Sequence, residues 1–106
     1  MSVLYIVNVE VDSEVAEDWR TWMSDVHIPE MLETGHFHDA MLTIDAEQHS
    51  TREVAFTCIY NAKSQTSLDD YTRDHAPRLR QDHMQRYEGR VSASRQILSV
   101  QRVFTP

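Results

Sequence analysis

The stretch DVHIPEML (residues 25–32) has a partial echo in DHAPRLR (residues 74–80). Each places an Asp ahead of a His, then one small or aliphatic residue, then Pro, and His27 and His75 stand 48 positions apart, as do Pro29 and Pro77. Proline has no N–H to give a helix and disfavours helical backbone in the residue before it. Two such breaks at matching places in a short chain predict a duplicated unit whose helix kinks or restarts at each. Asp25 and Asp74 stand where they would cap the restarted segments, with Pro29 and Pro77 in the first turn, where a missing N–H costs little. A kinked helix lying on a sheet leaves a gap beneath its bend, and that gap is the candidate pocket.

The flanking sequence supplies the rest of the unit. VLYIVNVEV (3–11) is rich in β-branched residues and reads as a strand. Asp12 or Ser13 offers an N-cap, Glu14 and Glu17 suit the first turn, and Val15, Trp19, Trp22, Met23 and Val26 follow at helical spacing. HFHDAMLTI (36–44), entered through Gly35, and REVAFTCIY (52–60) read as two strands joined by the polar AEQHST (46–51). Ser64 or Ser67 starts a second helix with Leu68, Tyr71, His75, Leu79 and His83 on one face. Gly89 ends it, and VSASRQILSVQRVF (91–104) is the last strand. Strand–helix–strand, twice, predicts an α+β fold over residues 1–106 as a single domain. It is a ferredoxin-like βαββαβ plait, a four-stranded antiparallel sheet with two kinked helices on one face.

The strands are apolar on both sides. Val3, Tyr5, Val7, Val9 and Val11 share one face of the first, Leu4 and Ile6 the other with Asn8 and Glu10, and the third strand sets Val54, Phe56, Cys58 and Tyr60 against Ala55, Thr57 and Ile59. On the second strand, Phe37, Met41 and Thr43 compete with Ala40, Leu42 and Ile44 for the inner side. Two helices cover only one face, so the other is expected to be hidden by a second copy of the chain, giving a homodimer through the open sheet face.

Composition narrows the partners. The net charge is −7, which argues against nucleic acid and anionic membrane. Residues 1–62 hold 12 acidic and 2 basic side chains, residues 63–106 hold 5 and 8, so either the two halves face each other or the contact between subunits is self-complementary. The opening residues have no basic segment and no apolar run reaches the roughly 20 residues of a membrane span. With Cys58 as the single cysteine, a reducing, cytoplasmic setting is the expectation.

The chain resembles the dimeric α+β barrel superfamily. Within it, it is similar to a family of short bacterial proteins known only as a domain of unknown function. The resemblance spans almost the whole chain and rests on Trp22-Met23 followed by His27-Ile28-Pro29-Glu30, then Gly35-x-Phe37, then Asp74-x-Ala76-Pro77-x-Leu79-Arg80. It implies two plaits stacking their sheets. The wider superfamily includes cofactor-free monooxygenases, haem-degrading enzymes, lactone isomerases and amino-acid-sensing domains, and no motif here transfers the catalytic residues of any of them.

His27 and His75 are the candidate catalytic residues, because imidazoles titrate near neutrality and a pair facing one cavity moves protons. Glu30, one turn beyond His27, is placed to orient that imidazole or to act as a base. The competing reading has both histidines bonding backbone carbonyls freed at the breaks. Trp22, Tyr71, Tyr60 and Tyr5 are the candidate ligand-binding wall. His36 and His38 alternate on one side of their strand, a pattern that alone does not make a metal site, and no metal or other cofactor is expected. Cys58 reads as a small buried hydrophobe. Arg80 and Arg95 read as salt-bridging the acidic N-terminal half, a ligand carboxylate being the other reading.

These readings add up to a small-molecule pocket protein. As an enzyme it would be a cofactor-free acid/base catalyst of isomerase, cyclase or monooxygenase type acting on a small aromatic or carbonyl compound. The alternatives are a non-catalytic ligand-binding or sensing homodimer, and a structural protein with no pocket.

Overall fold

The computed structural model describes residues 2–106. Strand β1 (Val3–Asp12) leads into helix α1 (Ala16–Trp22), a π-helical turn (Met23–His27) and helix α2 (Ile28–Glu33). Strands β2 (Phe37–Ile44) and β3 (Glu53–Ala62) follow, then helices α3 (Gln65–Asp74) and α4 (Ala76–Arg86) and strand β4 (Val91–Ser99). The sheet is antiparallel throughout, in the order β2-β3-β1-β4, and open at both edges. This is the ferredoxin-like plait that the strand–helix–strand repeat predicts.

Alternation in β1 decides the inner face: Val3, Tyr5, Val7, Val9 and Val11 are buried, while Asn8 and Glu10 are exposed. Phe56, Cys58, Tyr60 and Ala62 extend that face on β3, and Trp19, Met23, Met31, Leu68, Tyr71 and Leu79 close over it from the helices. The contest within β2 has no single winner, because the register slips between Phe37 and Asp39. The bulge turns Phe37 inward opposite Ala62 and then Ala40 and Leu42 inward opposite Tyr60 and Cys58. Met41, in register with Ile59, is left on the outer face and 57% exposed. Gly35, at φ +82°, makes the left-handed turn from α2 into β2.

The outer face is less uniformly apolar than the strand patterns suggest. One end carries Leu4, Ile6, Ile59, Met41 and Leu98 in adjacent rows, with Asp39, Asn61 and Gln96 among them, and the other carries Asn8, Thr57, Ser94, Glu10 and Ser92. β4 also stops at Ser99 instead of residue 104: its last paired residue lies opposite Val3, and one further bond, from the Val100 N–H to the Ser2 carbonyl at 2.9 Å, follows it. Val103 and Phe104 are consequently exposed.

The two His-x-Pro breaks differ. At the first the backbone stays helical, with His27 at φ −70° and ψ −50°, and the turn widens instead of kinking. The Ile28 N–H reaches back five residues to the Met23 carbonyl, which removes the demand for the N–H that Pro29 lacks. At the second, His75 leaves helical geometry (φ −126°, ψ −37°) and α4 restarts with Pro77 in its first turn. Neither Asp25 nor Asp74 caps the restart: the residues at those N-caps are His27 and His75, without side-chain bonds, and Asp74 instead pairs with Arg73. Ser64 does cap α3, accepting from the Ser67 N–H at 3.0 Å.

The widened turn also moves Val26, expected on the apolar stripe, to the surface at 39% exposure, while His27 goes inside. The charge asymmetry resolves within the chain. Arg90 reaches Asp12 at 2.7 Å and Glu14 at 3.2 Å, and Arg86 lies 3.9 Å from Asp18, so the basic half faces the acidic half.

Candidate active site

The π turn and α4 bring two imidazoles together beneath the helices. The rings of His27 and His83 are 5.5 Å apart between centroids, with the residues only 7% and 4% exposed. Trp19, fully buried on α1, donates its Nε1–H to His83 Nε2 at 2.9 Å. That bond needs Nε2 unprotonated, so the ring proton of neutral His83 sits on Nδ1. Trp22 packs its ring 5.0 Å from His27, and the Arg86 guanidinium covers Trp22 at 5.4 Å. Among the described residues neither His27 nor His75 donates a side-chain bond to a carbonyl freed at a helix break, and His83 accepts from Trp19 instead.

Burial is the main force on both rings. Desolvation, then the positive charge that His83 and Arg95 would set beside it, hold His27 down to about 4. Desolvation, then Arg95, hold His83 down to about 4 as well. Both are therefore neutral at pH 7, one free to accept a proton and one with an N–H to give.

These rings line a cavity with Tyr5, Tyr60, Tyr71, Arg80, Arg95 and the apolar Met23, Met31 and Leu79. It leaves about 20 Å³ for the centre of a water, room for roughly one molecule, and about 350 Å³ of unfilled space counting its mouth. Of the aromatic wall expected from sequence, Tyr5, Tyr60 and Tyr71 line it; Trp22 does not, and packs its ring against His27 instead. Burial pushes the Tyr60 and Tyr71 hydroxyls up, so they stay phenols. Burial likewise pushes the Cys58 thiol up to about 11, which makes it a core residue and not a nucleophile.

His75 and Glu30 lie elsewhere. They share a surface hollow of about 400 Å³ with Glu33, Thr34 and Arg78. Glu30 and His75 thus border a hollow that His27 does not line, and the ring facing His27 is that of His83. His36 approaches His75 at 5.6 Å between ring centroids, while His38 is exposed on β2. Among the described residues no three His, Cys, Asp or Glu side chains are grouped to hold a metal.

Arg80 and Arg95 depart from expectation too. Among the described residues neither has a carboxylate partner; Arg80 donates to the Tyr5 hydroxyl at 2.9 Å. Arg95 falls on the helix side because it pairs with Val7 in the β4–β1 ladder, an alternation legible once the strand's phase is known. A hollow of about 560 Å³ lies on the polar end of the outer face, and its lining holds no His, Lys or Arg.

No protein of curated function matches the sequence. Solved structures match over nearly the whole chain. A putative antibiotic biosynthesis monooxygenase from Bacillus cereus is 8% identical with a TM-score of 0.67, covering 99% of this chain and 98% of its own. SnoaB, a cofactor-independent oxygenase from Streptomyces nogalater, is 6% identical with a TM-score of 0.67, covering both chains in full (100%). A de novo designed protein, Foldit4, is 8% identical with a TM-score of 0.61, covering 95% of this chain and 100% of its own. Likeness at this level of identity shows a shared fold and no shared activity. Among the described residues no helix is long and apolar enough to cross a membrane. The family model described as a domain of unknown function (DUF4286) matches residues 2–101, and the chain belongs to that family.

Proposed function

We propose that this protein is a cofactor-free acid/base enzyme acting on a small carbonyl or phenolic compound, with His27 as the base and His83 as its partner. The observation that carries this reading is the pair of buried neutral imidazoles 5.5 Å apart at one cavity, of which, among the described residues, only His83 is hydrogen-bonded, by Trp19. An unprotonated ring beside an N–H donor takes a proton from a C–H next to a carbonyl and supports the oxygen as charge moves onto it. Tyr5, Tyr60 and Tyr71 give the ligand a flat wall, and Trp22 fixes the His27 ring. His75 and Glu30 border their own hollow and have no part in this step. The oxygenase named among the structural neighbours supports small-molecule chemistry on this fold without a cofactor.

The test needs no knowledge of the full reaction. Exchange of acidic C–H protons for deuterium is followed by NMR in a panel of 1,3-dicarbonyl and phenolic compounds in D₂O. The protein should speed exchange in at least one of them, and His27→Gln should lower that rate by about 10²-fold or more. No exchange above buffer, or exchange that His27→Gln leaves intact, would discard the reading. A second reading, a binding or sensing module, gains from the Trp19–His83 bond, which suits a structural histidine. It is recognised by a compound that raises the melting temperature and is recovered unchanged.

The proposal includes a homodimer. Leu4, Ile6, Ile59, Met41 and Leu98 form the apolar end of an outer sheet face that the chain itself leaves open, and a second copy of that face is the simplest cover. Sedimentation equilibrium should report twice the chain mass, and Ile59→Lys should return the monomer with the far-UV spectrum kept. A wild-type monomer at high concentration contradicts it.

A further inference from the structure

Two arginines border the His27 cavity with no acid beside them. Arg20, Arg73, Arg86 and Arg90 each have a carboxylate within 4.0 Å. Arg80 and Arg95 have none among the described residues, and no Asp or Glu lines the cavity. Among the described residues Arg52, Arg78 and Arg102 likewise have no carboxylate within 4.0 Å, so what sets Arg80 and Arg95 apart is that both line one cavity whose wall holds no acid. Arg80 sharpens the contrast. One Nη donates to the Tyr5 hydroxyl, but its Nε is buried and has no hydrogen-bond partner. A buried charged donor without an acceptor is costly, so such a group marks a place where an acceptor belongs. Arg95, by contrast, is exposed, on the helix side of the edge strand β4.

We propose that Arg80 and Arg95 bind the carboxylate of the ligand, with Arg80 holding it from within and Arg95 closing on it from the mouth. The inference rests on the reading of this cavity as the site of chemistry and narrows the substrate to small organic acids. A carboxylate is planar and accepts several N–H bonds at its edges, which matches guanidinium donors better than a neutral carbonyl does. The closed part of the cavity holds about one water, so the carboxylate enters by displacing that water and by movement of the Arg80 and Arg95 side chains, while the body of the molecule lies in the mouth against the tyrosines. The bound negative charge also opposes the Arg95 charge that, after burial and His83, disfavours protonated His27. An anionic ligand therefore makes His27 a better base at the moment it is needed.

The experiment uses acetate as probe and acetamide as its neutral counterpart, at constant ionic strength and pH 7. The imidazole resonances of His27 and His83 are followed by NMR in the full chain. Acetate should shift them saturably and acetamide should not. Arg80→Met and Arg95→Met should each weaken the apparent affinity at least about tenfold, while Arg78→Met, in the other hollow, should leave it unchanged. Arg95 is exposed, so its variant remains informative if Arg80→Met fails to fold.

Absence of saturation, an equal response to acetamide, or full affinity in Arg95→Met overturns the proposal. So does saturation by inorganic phosphate in place of acetate. The two readings fail separately. Exchange of a neutral compound that survives Arg80→Met and Arg95→Met removes the carboxylate site and leaves His27 as base. Acetate binding that the arginine variants abolish, with no compound exchanged, keeps the site and removes the catalysis.

Discussion

Trp19→Ala is expected to cost about 3–5 kcal/mol, enough to remove much of the stability of a domain this size. Trp19 is fully buried on α1, its ring 4.7 Å from that of Phe56 on β3, and its Nε1–H is the donor to His83. Truncation leaves a cavity between helix and sheet and orphans the His83 acceptor in one step. Trp19→Phe separates the two losses. It keeps most of the volume and loses the donor, so about 1–3 kcal/mol should go. Urea unfolding followed by far-UV circular dichroism gives both numbers. A Trp19→Phe variant as stable as the wild type shows that the indole N–H contributes nothing and that His83 is satisfied in another way.

The second large effect is with pH. His27 and His83 are each held down to about 4 in the folded chain, against about 6.5 when unfolded. Between those values the unfolded chain binds protons that the folded one refuses, so stability rises with pH across this window and is lost as pH falls from about 6.5 to about 4. Each ring contributes on the order of 3 kcal/mol at full effect, and the two titrate as a coupled pair because repulsion from His83 is itself one cause of the His27 shift. Asp12 and Asp74, whose carboxyls are held low by Arg90 and Arg73, act only below that window, near and under the ordinary carboxylate range. Urea midpoints between pH 7.5 and 4.5 should fall steeply in the wild type and with about half the slope in His27→Gln. A flat wild-type profile means that the rings accept protons within the fold, and the acid/base reading then loses its neutral pair.

Much of the fold is written in local pattern. The β-branched run of residues 3–11, Ser64 at the start of α3, Gly35 before β2 and the His-x-Pro echo give the plait directly. The site is less legible, because three of its determinants are tertiary. Which histidine of the second helical segment meets His27 depends on how α4 crosses the π turn, and His83 sits two turns past the one the echo selects. The phase of β4, and hence the inward side of Arg95, is set by pairing with β1. The bulge after Phe37 lets both competing sets of β2 contribute to the core. One signal was local all along. Trp19, Met23, His27 and Met31, all buried, recur at every fourth position. In a plain α-helix that spacing drifts by about 120° from first to last, so a common face requires a wider turn somewhere between them.

That wider turn means the first helical segment is one residue longer than its packing requires. Losing a codon for the exposed Ser24 or Asp25 would restore ordinary winding, and Trp19, Met23, His27 and Met31 would still fall on one side, now at heptad-like intervals. A deletion at this joint is therefore expected to leave the tertiary scaffold in place while changing the reach of the His27 imidazole toward His83. Homologues of differing length at this joint are where altered chemistry on an unaltered scaffold is to be sought.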